Sequence, residues 1–63
     1  MLAKEIRAAA KRKGIGVEAL RLKARLGGGT FYELLRGAEP RTVKVIRKLQ
    51  SVGVRIPEAL LTA

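Results

Sequence analysis

The chain has 63 residues, room for a single domain, and one of this size buries only about 60% of the surface its unfolded chain exposes. It holds no Cys and no His, and its only acidic side chains are five glutamates. That excludes a Cys/His zinc site and thiol redox chemistry, and leaves no convergent acid–base pair for hydrolysis. Fourteen Lys and Arg give a net charge of +9, which points to a polyanionic partner, nucleic acid before an anionic membrane surface.

The expected protein is therefore a single domain over residues 1–63, not an enzyme, with no cofactor and no metal. Gly27-Gly28-Gly29 lacks the Lys-Ser/Thr that completes a phosphate loop. No apolar run is long enough to span a bilayer, and the first residues lack the apolar core of a signal peptide. A cytoplasmic location and no membrane partner are the expectation.

Glycine and proline divide the chain into five short segments. The first runs from about Leu2 to Lys13, with Leu2, Ile6, Ala9 and Ala10 on one helical face and Lys4, Arg7 and Lys11 on the other. Gly14 ends it behind Lys11, Arg12 and Lys13, which suit a helix C-terminus. The second runs from about Val17 to Leu26, with Gly16 as N-cap and Glu18 in the first turn. Leu20 and Ala24 point inward, with Leu22 a further inward candidate, and Gly27 is the stop.

The third segment opens at Thr30, because Thr30-Phe31-Tyr32-Glu33 fits a capping box in which hydroxyl and carboxylate satisfy each other's backbone N–H groups. Phe31, Leu34 and Leu35 form its inward face, and Gly37 ends it. The fourth begins near Pro40, with Val43, Val45, Ile46, Leu49 and Val52 set among basic residues and Gly53 closing it. The fifth, Pro57 to about Leu61, is a one- to two-turn helix. The fold expected is all-α, a compact bundle of about five short helices.

The stretch Gly14-Ile15-Gly16-Val17-Glu18-Ala19-Leu20 and the stretch Phe31-Tyr32-Glu33-Leu34-Leu35-Arg36-Gly37 carry a resemblance. With Leu20, Ala24, Leu26, Phe31 and Leu34 at matching buried spacings, nearly the whole chain resembles the helix-turn-helix DNA-binding domains of the phage Cro and repressor type. Three departures stand out. Arg21 replaces a small residue, Arg25 replaces the turn glycine, and Gly27–Gly29 occupy places that open the recognition helix. Helical glycine costs about 1 kcal/mol against alanine. The second helix is therefore expected to run long, the turn to shift to 27–29, and a short third helix to start at Thr30.

The resemblance implies a lambda-repressor-like fold and a transcriptional regulator that lays its recognition helix, about residues 30–36, in the major groove of duplex DNA. Base-contact candidates are Gly29, Thr30, Tyr32, Glu33 and Arg36. Arg36 suits a guanine or, failing that, a phosphate. Tyr32 is either a DNA contact or an ordinary half-exposed aromatic. Glu33 is the capping partner or a cytosine contact. Phosphate-contact candidates are Arg41, Thr42 and Lys44, with Lys13, Arg21 and Arg25 adding to them. From Arg41 to Arg55 there are five positive charges and no negative one.

Members of that family often dimerise so that two recognition helices meet half-sites about one DNA turn apart. Val54, Ile56, Leu60 and Leu61 are the interface candidates for a homodimer; the alternative is that this apolar tail caps its own core. Two other functions compete with the regulator. One is a nonspecific nucleic-acid binder, since glycine reads no bases. The other is a cationic protein-interaction module, antitoxin-like, with an acidic partner.

Overall fold

Four helices follow in order in the structure, a computed structural model that describes residues 2–40 and 42–58: α1 (Leu2–Lys13), α2 (Val17–Ala24), α3 (Gly28–Leu35) and α4 (Val43–Ser51). No strand occurs among the described residues, so the chain is all-α. In α1, Leu2, Ile6, Ala9 and Ala10 recur at helical spacing and all are buried. Glu5 in its first turn and Lys11, Arg12 and Lys13 in its last complement the helix dipole.

All four helices stop in the same way. At the end of α1 the Gly14 N–H bonds to the Lys11 carbonyl (3.1 Å) and the Ile15 N–H to the Ala10 carbonyl (3.0 Å). This nested pair satisfies carbonyls that the helix leaves open, and it needs a left-handed residue at its centre. Arg25 with Leu26, Gly37 with Ala38 and Gly53 with Val54 repeat the pattern after α2, α3 and α4. All four central residues have positive φ: Gly14 at 68°, Arg25 at 59°, Gly37 at 106° and Gly53 at 84°.

The core draws on every helix. Leu20 and Ala24 of α2, Phe31 and Leu34 of α3 and Leu49 of α4 join the α1 face, and Leu26, Val52 and Val54 fill in from the connections. Burial of such apolar surface, at roughly 25 cal/mol per Å2, is what holds so short a chain together. Arg12 also ties α1 to the end of α4, with Nη2 donating to the Gly53 carbonyl at 2.8 Å.

Several sequence expectations change. α2 does not run long but stops at Ala24, and α3 begins at Gly28 rather than Thr30, with Gly27 as its N-cap. Only Gly27 of the three glycines lies outside a helix. Thr30 is the third residue of α3 and caps nothing, so the capping box with Glu33 does not form. Burying Leu26 and Phe31 together fixes the register here and outweighs the low helix propensity of two glycines. α4 starts at Val43, later than Pro40, because the Thr42 hydroxyl accepts from the Val45 N–H at 3.3 Å and sets the N-cap.

Leu22 is 61% exposed and Val43 is 62% exposed, so neither belongs to the core. Val54 is buried against its own chain and Ile56 packs beside it, which removes Val54 from any interface between copies. The same tail therefore does what the alternative reading expected of it, as far as Ile56. The fifth segment beyond Glu58, with Leu60 and Leu61, lies outside the described residues, as does Arg41.

Candidate nucleic-acid interface

α2 and α3 are eight residues each and are joined by Arg25, Leu26 and Gly27 alone. Leu26 is buried and anchors the connection, while Arg25 turns the chain. Lys48 of α4 braces it from outside, its Nζ donating to the Arg25 carbonyl at 3.3 Å. On α3, the three-residue spacing of Phe31 and Leu34 puts one face in the core. Gly29, Thr30, Tyr32, Glu33 and Arg36 are all exposed on the rest of the helix and its end. All five base-contact candidates thus share one exposed element.

Glu18 is the hub that fixes α3 against α2. The Tyr32 hydroxyl donates to Glu18 Oε1 from across the turn. Arg21 Nε donates to the same oxygen at 3.0 Å, and Arg21 Nη2 pairs with Oε2. Arg21 Nη1 also donates to the Leu26 carbonyl at 3.0 Å. The Arg21 and Tyr32 hydrogen bonds hold the Glu18 carboxyl well below its ordinary 4.5, at about 2. In return Glu18 pushes the Tyr32 phenol and the Arg21 guanidinium up. Arg21 and Tyr32, both DNA-contact candidates from the sequence, are thereby engaged within the protein and hold α3 against α2.

Glu33, without a capping role, lines a cleft of about 240 Å3 between α3 and the start of α4, together with Glu39. Its carboxylate makes the second half of the α3 surface less inviting to phosphate. Arg36 lies at the end of α3 and is exposed.

The positive charge sits around α3 rather than on it. Lys44 and Arg47 are exposed on α4 beside Lys48, where they line a shallow depression with Val43 and Ser51. Thr42, a phosphate-contact candidate, accepts the Val45 N–H at the α4 N-cap, which leaves its O–H as a donor at the protein surface. Lys13 approaches Gly53 beside Arg12, so the basic end of α1 gathers at the end of α4. Sequence reasoning missed Glu18 as a hub and Lys48 as a brace. The i, i+3 spacing of Glu18 and Arg21 was a readable signal for the first; nothing in the sequence signalled the second, which joins residues 23 apart.

No protein-family model matches the chain, and no curated protein and no solved structure matches it. Among the described residues no helix is long and apolar enough to cross a membrane.

Proposed function

We propose that this protein is a duplex-DNA-binding regulator of transcription, whose α2–turn–α3 unit acts as a helix-turn-helix with α3 in the major groove. The observation that carries the reading is the turn. Arg25 replaces the family's glycine in sequence, yet adopts the left-handed conformation that glycine serves there (φ 59°, ψ 39°). Burial of Leu20, Ala24, Leu26, Phe31 and Leu34 at the family's inward spacings supports it further. The charge of +9 supplies the attraction to phosphate.

On this reading Arg36 and Thr30 address bases, with Gly29, Tyr32 and Glu33 lining the same face. Lys44, with Arg41 and Lys13, holds phosphates. The protein acts in the cytoplasm of a bacterium, where the nucleoid or a phage genome lies. Two copies meet through Leu60 and Leu61, beyond the Ile56 that packs on its own core, to place two α3 helices on a symmetric site.

The test is selection from a randomised duplex library at roughly physiological salt, where screening weakens loose electrostatic contacts. An enriched two-fold symmetric motif supports specific reading by a dimer, and an enriched single half-site supports a monomeric reader. No retention of duplex refutes the reading and turns attention to an acidic protein partner.

A second reading is favoured by one observation. The first turn of α3 presents Gly28 and Gly29, which carry no side chain to read a base edge. A nonspecific binder fits that feature, and retention of duplex without an enriched motif selects it.

A further inference from the structure

Glycine and arginine stand in each other's expected places around the α2–α3 turn. Three of the four helix ends put glycine at the left-handed centre of the nested hydrogen-bond pair; the end of α2 puts Arg25 there. That conformation is costly for an L-residue with a long side chain and nearly free for glycine. Two residues later come Gly27, Gly28 and Gly29, none with positive φ. A Cβ added at any of the three meets nothing within 4 Å. Side chains would be accommodated where glycine stands, and glycine would be easier where arginine stands. Neither choice serves the packing of the chain.

What Arg25 contributes that glycine does not is a guanidinium. The residue is exposed, and its side chain has no hydrogen-bond or ion-pair partner among the described residues. Only its backbone is engaged: its N–H donates to the Leu22 carbonyl, and its own carbonyl accepts from the ammonium of Lys48, which brings a second positive charge to the turn. Guanidinium is the side chain best matched to a phosphate, because its planar fork can donate two parallel hydrogen bonds.

We propose that Arg25 is a phosphate-clamping residue, kept at a left-handed position against the stability of the fold, and that bare Gly27–Gly29 give the clearance that lets a DNA sugar–phosphate backbone reach it. The inference rests on the DNA-binding reading above and deepens it by assigning this turn to sequence-independent grip. The reading of bases is then left to the residues of α3 that follow.

The experiment compares the unaltered protein with Arg25→Gly and Arg25→Lys, by thermal unfolding without DNA and by binding across a salt series. The probe is the duplex that selection enriches, or a mixed-sequence duplex if none is enriched. Arg25→Gly relieves the backbone and keeps the carbonyl that Lys48 grips, so it folds, and its Tm rises by about 4 °C. It binds about tenfold more weakly near 0.15 M salt, roughly the loss of one charge-assisted hydrogen bond. Its slope of log affinity against log salt becomes shallower by about 0.9. Arg25→Lys keeps the slope and gains no Tm. Unchanged affinity and slope in Arg25→Gly overturn the clamp, and an unchanged or lower Tm overturns the claim that it is held at a cost. Either result with the unaltered protein still binding duplex leaves the DNA reading standing; failure of the unaltered protein to bind duplex ends both.

Discussion

Replacing Gly28 and Gly29 together by alanine should stabilise the protein. Both lie in the first turn of α3, neither has positive φ, and an added Cβ at either meets no neighbouring atom within 4 Å. Glycine to alanine in a helix contributes about 0.5–1 kcal/mol, through the freedom the unfolded chain gives up. The helix end lies at the lower limit, so the pair is worth about 1 kcal/mol. In a domain of this size that moves Tm by about 4–8 °C. Thermal unfolding followed by far-ultraviolet circular dichroism reads the shift directly. Gly37→Ala serves as the opposite-sign control, because φ of 106° there strains any L-residue and Tm should fall. An unchanged or lower Tm in the double variant would refute the assignment of residues 28 and 29 to the helix, and return them to the turn that their composition suggests.

Other outcomes follow from the same structure. Leu49→Ala removes the one fully buried side chain that α4 places in the core, and should cost about 3 kcal/mol; a urea midpoint shift worth less than about 1 kcal/mol refutes it. Leu22→Ser, at a position 61% exposed, should stay within about 0.5 kcal/mol of the parent. Because the folded Glu18 carboxyl lies at about 2, below its ordinary 4.5, its contacts stabilise the fold above that ordinary value and are lost as pH falls toward 2. Glu18→Gln should flatten this part of a Tm–pH curve, and an unaltered curve counts against the hub. On an enriched duplex, Arg36→Ala should relax sequence preference by about 1–3 kcal/mol at one position, whereas Lys44→Ala should weaken all sequences alike; uniform losses from both would remove Arg36 as a reader.

The helical face of α1 was legible because alanine and spaced apolar residues agree with each other over three turns. The stops at Gly14, Gly37 and Gly53 were legible because glycine marks a left-handed position. The stop at Arg25 was not, since nothing local announces that an arginine will take that conformation. Its concealment displaced the expected start of α3 by two residues, and with it the role given to Thr30 and Glu33. Thr42 was assigned to phosphate although its position before an apolar-periodic run is also that of an N-cap. The location of Leu22 was ambiguous because α2 is only about two turns long, too short for periodicity to separate one apolar side chain from the next. The exposed face of α3 was legible as a set of residues, but its linkage to Glu18 depends on a contact 14 residues away in the chain.

The bond from Arg12 to the Gly53 carbonyl spans 41 residues, and Val52 and Val54 complete a core to which α1 supplies four side chains. α2 and α3 both pack against α1, and α2 packs against α4 as well. A chain truncated after Ser51 lacks Val52, Gly53 and Val54, so the core beneath α3 stays open and the surface that α3 presents is not held. The same dependence makes Val52 and Val54 effective places to weaken that surface from a distance, with no change to any residue on it.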